Sequence, residues 1–341
     1  MNKKIQTPLL AATTALLATL GGVGAHAADV QERTIKFGYV APQQHPQGMG
    51  AKKFAELVAQ KSGGKLNVKG FSDGQLGGEV QMISASQGGV LEMTAMSTAP
   101  LVGVVKEFAL FDFPFLFENT KEADAVVDGP VGKALLDKLP ARGLVGLCYW
   151  ENGFRHVTNN KRAITKMEDL DGLKIRTMQN PVYVQMFGAL GSNAIPMAFT
   201  ELYSALETKA VDAQENPYAI IAANKFYEVQ KYLTATRHAY SLYVVMAGAK
   251  FWDKLSADEK QILQASCNES RDYQRKLSRE VDASLLIDLR AKGMAYNELP
   301  PAELAKIRAQ LKPVVQKFSK EVGEELVNQT FAELQKLRAQ K

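Results

Sequence analysis

The chain has 341 residues, with 41 lysines and arginines against 36 aspartates and glutamates, a formal charge of +5 and a hydrophobic content of 46%. So mild a positive charge excludes a dedicated nucleic-acid binder, whose affinity comes from a strongly basic surface, and the hydrophobic share is that of a globular protein. Two cysteines are too few for a disulfide-dense scaffold or a cysteine-held metal.

In chain order, "MNKK" is a short basic segment, "TPLLAATTALLATLGGVG" an apolar one, and Ala25-His26-Ala27 a small-x-small cleavage site. This pattern predicts a cleavable signal peptide over residues 1–27. No second apolar run follows, so no membrane anchor is expected. The remaining chain of about 310 residues suggests two domains. "TIKFGYV" alternates Ile35, Phe37 and Tyr39 as a strand does, and "GMGAKKFAELVAQKSGG" places Phe54, Leu57 and Val58 on one helical face. "KLNVKGF" and "VLEMTAM" follow as strands, with the helix "GGEVQMISASQGG" between them. This alternation predicts a parallel sheet covered by helices.

"GLVGLCYW" is an apolar strand ending at an Asn152-Gly153 bend, and "HVTNNKRAI" and "DGLKIRTM" carry strand and turn character. "FTELYSALETKA" is a helix with Thr200 as its expected N-cap, "VDAQE" a strand, and "PYAIIAANKFYEV" a helix opened by Pro217. From Ala257 onward long helices are expected. The pattern gives an α/β chain of two lobes joined by short crossings. Cys148 and Cys267 lie far apart. They read as buried small apolar residues, with pairing open to them in an oxidising compartment.

Motifs for chemistry are sparse. "GFSDG" fits G-x-S-x-G, but a nucleophile elbow needs a helix directly after the serine, and here the helical pattern begins only at Glu79. No phosphate-binding glycine loop and no metal-spaced histidine pair occurs, so no cofactor or metal is expected. Arg176 sits in "KIRTM", near the carboxyl end of a strand, where ligands of open α/β sheets bind. A guanidinium there needs an anion: a ligand carboxylate held by its two-pronged fork, or an internal acid such as Asp171 or Asp212. Arg155 follows the bend, as a crossing residue or a solvated loop arginine. Asn216-Pro217 has helix-capping chemistry, which leaves Gln214 and Glu215 unexplained.

The blocks "GFRHVTNNKRAI", "DLDGLKIRTMQNP", "IPMAFTELYSALETKAVDAQENP" and "NKFYEVQKYL", with "SDGQLGGE" upstream, resemble the substrate-binding proteins of TRAP transporters, the DctP type. The resemblance covers nearly the whole chain beyond residue 27. It implies a two-lobed periplasmic binding-protein fold, type II-like, each lobe a sheet flanked by helices. Residues 28–152 plus about 242–280 would form one lobe, and 153–241 plus about 281–341 the other. A periplasmic, monomeric protein is implied, closing on one organic acid and passing it to a sodium-driven permease with a small and a large membrane subunit. The acid would be a C4-dicarboxylate, with sugar acids and aromatic acids as alternatives. Arg176 would clamp its carboxylate, Arg155 and Asn216 support it, and Phe199 pack on it. The opposite wall would draw on Tyr39, His45, Gln75 and Ser97, although His45 before Pro46 also suits a surface loop. Val40, Ser97 and Pro100 stand where the sialic-acid branch has polar contacts, which argues against sialic acid. Other readings are an ATP-driven binding protein, a sensor's ligand-presenting partner, and a periplasmic serine hydrolase using Ser72.

Overall fold

A computed structural model describes Met1 and residues 29–340; the expected signal peptide, Met1 apart, lies outside the described residues. The first run is β1 (Arg33–Gly38), α1 (Pro46–Lys61), β2 (Leu66–Phe71), α2 (Glu79–Gly88) and β3 (Met93–Ser97). Two 3-10 turns, Ala99–Gly103 and Lys106–Asp112, lead to α3 (Thr120–Asp128), α4 (Pro130–Leu136), β4 (Leu144–Phe154) and β5 (His156–Asn159). Next come β6 (Lys174–Thr177), α5 (Pro181–Ala189), β7 (Asn193–Pro196), α6 (Phe199–Glu207), β8 (Ala213–Asn216), α7 (Tyr218–Ala223), β9 (Tyr232–Ala235) and β10 (Tyr240–Gly248). The chain ends in α8 (Ala249–Trp252), α9 (Ala257–Ala291), β11 (Ala295–Glu298), α10 (Pro301–Val322) and α11 (Glu324–Ala339).

The strands form two sheets, ordered β2-β1-β3-β10-β4 and β11-β9-β5-β8-β6-β7, and helices flank both. The sheets are mixed rather than parallel. β1 runs parallel to β2 and β3, but β10 is antiparallel to β3 and β4, and β5 to β8 and β9. The reason is connectivity. β5 and β10 enter their sheets directly from the other lobe, without the helical crossover that parallel neighbours need. β4 also continues through the expected bend to Phe154. The irregularity is absorbed by a register shift opposite Ser241/Leu242 and by Gly153 at φ 114°, a conformation that favours glycine. The two crossings lie side by side, the Arg155 N–H donating to the Ala239 carbonyl at 2.9 Å.

Helix α9 ties the lobes together, packing on α1 and β4 of the first and on α7 of the second. Ser256 and Glu259 exchange reciprocal side-chain-to-backbone bonds at its start. Its 35 residues extend about 52 Å. Gln274 brackets the Glu151 backbone, accepting from its N–H at 2.8 Å and donating to its carbonyl at 2.7 Å. Arg275 pairs with Asp128, and Arg279 with Asp124 and Glu151. Cys148 of β4 and Cys267 of α9 are joined as a disulfide, their Cα atoms 6.0 Å apart. Of the two readings left open for these cysteines, the structure gives the pair, and both residues are buried. Two residues 119 apart in sequence are brought together because α9 packs flat on β4.

Candidate functional site

Where the sheets face each other, a narrow cavity of about 20 Å³ lies between the two lobes. The first lobe lends Val40, Glu79, Ser97, Asn152 and Tyr243; the second lends Arg155, Arg176, Met178, Phe199, Asn216 and Ile220. A larger hollow of about 750 Å³ lies elsewhere, beside α6. Its wall carries solvent-facing ionic groups such as Glu207 and Lys209, so its charges are already satisfied by water. The inter-lobe cavity is different, because its charges are buried.

Arg176 leaves β6 with only 2% of its surface exposed. Its Nε and one terminal nitrogen donate to the Met197 carbonyl at 3.0 and 2.8 Å. Its other terminal nitrogen is buried without a partner. Burial lowers its pKa to about 10, with Glu215 working the other way and Arg155 adding to the fall. Neither Asp171 nor Asp212 pairs with it; Asp212 is bound to Lys161 at 3.2 Å. Phe199, the first residue of α6, sits 5.9 Å from the guanidinium carbon. This site therefore holds a preformed cation with an unmet need for an anion.

Arg155 contrasts with it. Fully buried, it is no solvated loop residue. Its Nε donates to Glu215 Oε2 at 2.5 Å, and one terminal nitrogen donates to Glu215 Oε1 at 2.8 Å and Asn216 Oδ1 at 3.1 Å. The other donates to Ser241 Oγ at 3.1 Å. The pairing register explains the meeting, since β5 and β8 set His156 opposite Asn216 and Val157 opposite Glu215. Burial alone would raise the Glu215 pKa, but Arg155 and His238 bring it down to about 2. Burial lowers the His238 pKa, and its Nε2 stands 3.0 Å from Glu215 Oε2. A neutral imidazole facing an acceptor-only carboxylate carries its proton on that nitrogen. Its Nδ1, 2.7 Å from Thr236 Oγ1, then accepts from the hydroxyl.

Asn216 does not cap a helix. Pro217 occupies the N-cap position of α7, and the Asn216 amide donates to Gln214 Oε1 at 2.5 Å while accepting from Arg155. Thr200 is likewise inside α6, whose N-cap is Ala198. Ser97 reaches the cavity at the end of β3, its N–H donating to Glu79 Oε1 at 2.6 Å.

Three expected residues lie off the cavity. Strand alternation turns Tyr39 away to pack over Gly70, within reach of its Cβ position, and gives Val40 to the cavity instead. Burial raises the Tyr39 pKa to about 12. His45 is the N-cap of α1, its Nδ1 accepting from the Gln47 N–H at 3.0 Å. It is buried, which lowers its pKa to about 3, and is no surface-loop histidine. Gln75 is exposed and does not line the cavity. Ser72 donates to Asp73 at 2.5 Å, and Asp73 turns at φ 56° with no helix behind the serine. Glu79, Asn152, Tyr243, Met178 and Ile220 were not anticipated from sequence. Among the described residues no group of three metal-type side chains occurs.

The profile of the bacterial extracellular solute-binding protein family 7 matches residues 37–321. A sugar-acid-binding protein from Advenella mimigardefordensis, solved with galactonate, is 46% identical. It superposes at a TM-score of 0.89, covering 90% of this chain and 99% of its own. The 2,3-diketo-L-gulonate-binding periplasmic protein of Escherichia coli K12 is 41% identical over 77% of this chain and 80% of its own. A C4-dicarboxylate-binding periplasmic protein of Rhodobacter capsulatus is 35% identical over 86% of this chain and 88% of its own. A two-lobed α/β chain matched along nearly its whole length in this way belongs to bacterial extracellular solute-binding protein family 7, the DctP family of TRAP-transporter solute-binding proteins.

Proposed function

We propose that this chain is the periplasmic receptor of a TRAP transporter, capturing one small organic acid between its lobes and delivering it to a membrane permease of small and large subunits. The observation that carries this reading is the unpartnered, buried nitrogen of Arg176, aimed at no internal acid. A ligand carboxylate would complete it, with Arg155 and Asn216 as a rigid backing, Phe199 against the ligand's face, and Ser97 on the opposite lobe. His45, Gln75 and Tyr39 would act at one remove, shaping the lobe rather than touching the ligand. The two sheets would be the cores of the two lobes, with the first lobe running to Phe154 and resuming at Tyr240, slightly outside the bounds expected from sequence, and the two crossings would be the hinges. Binding, not catalysis, is the role we read, because the Ser72 hydroxyl is engaged by its neighbour Asp73 and the next helix starts only at Glu79, so no nucleophile elbow forms. Of the ligand classes, the sugar acids gain weight from the galactonate-bound and the diketogulonate-binding relatives, both more similar to this chain than the C4-dicarboxylate-binding protein of Rhodobacter capsulatus.

A thermal-shift screen of carboxylates tests this. A ligand at a hundred times its Kd adds about 2.7 kcal/mol of stability, and the melting temperature rises accordingly. If neutral sugars shift the protein and no carboxylate does, the acid reading fails.

Closure has its own prediction. Gly74, at φ 65°, faces α6 so closely that a Cβ there would meet Thr200 Cγ2 at 2.5 Å. Gly74→Ala is expected to weaken ligand affinity about tenfold, in line with ~1–3 kcal/mol for overpacking. The backbone strain of an alanine at this φ is common to open and closed forms, so it drops out of the affinity. Calorimetry should show Thr200→Ser restoring part of the loss in the double variant. Parent-like affinity for Gly74→Ala would mean that this contact does not limit closure.

A further inference from the structure

We propose that Asn180 is a positioning residue for ligand capture, its side-chain amide tying the strand end that carries Arg176 to the strand end that carries Ser97 and so holding the two walls of the cleft together around a ligand. The inference rests on the reading of the cleft as a carboxylate site and goes on to say what keeps that site shut.

Asn180 lies four residues after Arg176, beyond the end of β6, and is buried. It does not line the cavity. Its Oδ1 accepts from the Val182 N–H at 2.7 Å, which caps α5. Its Nδ2 donates out of the second lobe, to the Ala99 carbonyl at 3.0 Å and to Asp112 Oδ2 at 2.7 Å. Both acceptors belong to the first lobe. Ala99 comes two residues after Ser97, the last residue of β3. Between them, the Thr98 N–H is fixed to the Leu242 carbonyl of β10 at 3.0 Å. Asp112 ends the second 3-10 turn, which packs on β10. One amide, with two N–H groups and one carbonyl, is thus used in full.

The tie is dry. Asp112 is fully buried and Ala99 nearly so, and α10 packs over both α5 and the second 3-10 turn. A polar group left unpaired in such a place is costly. Moving the walls apart at this point therefore breaks two hydrogen bonds at once and strands an amide and a carboxyl. The position of the tie reaches both cleft arginines. It reaches Arg176 along the chain, and Arg155 through α5, whose Tyr183 ring lies 5.7 Å from the Arg155 guanidinium carbon. Burial pushes the Asp112 carboxyl up to about 8, while Arg155 and the Asn180 amide hold it down and Glu215 adds to the rise. A carboxyl titrating there keeps its proton at neutral pH. Toward Asn180 it is then a neutral acceptor, a role that an amide oxygen can fill.

Stopped-flow binding kinetics with galactonate and succinate as probes test the proposal. Asn180→Ser keeps a capping oxygen for α5 and removes both donations. Its ligand dissociation is expected to be about tenfold faster, the loss of two modest hydrogen bonds. Association should stay near that of the parent, because the tie holds the closed form and the ligand enters the open one. Asp112→Leu should release ligand faster as well, and the double variant no faster than the worse single one, since both remove one contact. Asp112→Asn, which keeps the acceptor, should dissociate as the parent does. A merely structural role would lower the ligand-free melting temperature and leave dissociation unchanged. Unchanged dissociation in Asn180→Ser, losses that add in the double variant, or a loss in Asp112→Asn equal to that in Asp112→Leu overturns the tie. In each of these cases loss of binding in Arg176→Ala leaves the carboxylate site standing. If the parent binds no carboxylate in the thermal screen, the carboxylate reading falls and this proposal falls with it.

Discussion

Replacing Arg176 with alanine is expected to abolish measurable ligand binding while leaving the fold intact. Micromolar affinity corresponds to about 8 kcal/mol, and each charge-assisted hydrogen bond contributes roughly 1.5–3 kcal/mol. Truncating one side of a buried ion pair costs about 2–5 kcal/mol or more, since the other charge stays buried and alone. The affinity loss is therefore at least about thirtyfold. Arg176→Lys should also bind weakly, because an ammonium cannot reproduce the planar fork. Isothermal calorimetry measures both, and unchanged affinity in the alanine variant would remove Arg176 as the clamp. Stability should move the other way. Without ligand, Arg176 is a buried charge with an unpartnered nitrogen, so Arg176→Met should melt no lower than the parent when both are ligand-free.

Glu215→Gln is expected to destabilise the protein by about 3–5 kcal/mol, the usual cost of stranding one partner of a buried pair. Glu215 and Arg155 are both fully buried. Denaturant titration measures the loss. The pH dependence separates an ionic cause from a steric one. The Glu215 carboxyl titrates at about 2 in the folded chain against an ordinary value of 4.5. Its contribution is then present in full above pH 4.5 and disappears as pH falls through about 2. The gap between parent and variant should narrow over that window. A constant gap would point to packing instead.

The sequence carried the second lobe's half of the cleft better than the first's. Arg155, Arg176, Phe199 and Asn216 lie in contiguous blocks with a recognisable order, and all four line the cavity. The partner of Arg155 was not legible, because Glu215 meets it only through the β5–β8 register, 60 residues away. On the first lobe, Tyr39 and Val40 are neighbours on a strand end, and the choice between them depends on which face the sheet buries. Tyr243 was hidden differently. All nine residues of β10 are buried, and so uniform a run carries no period from which to read a facing side. Glu79 looked like an ordinary acidic helix start. The parallel-sheet expectation failed for a related reason, since local strand–helix alternation says nothing about a strand that returns from another lobe.

That returning strand orders the making of the protein. β10 separates β3 from β4 and pairs with both. In the chain it comes after β5 to β9, all of which belong to the second sheet. Chains emerge N-terminus first. For as long as residues 159–239 are being produced, β3 and β4 have no strand between them, and each presents unpaired backbone to any passing strand. The covalent seal between Cys148 and Cys267 comes later still. Any fragment ending before Tyr240 keeps both open edges, and proteolysis or premature termination there should yield aggregates rather than a folded first lobe.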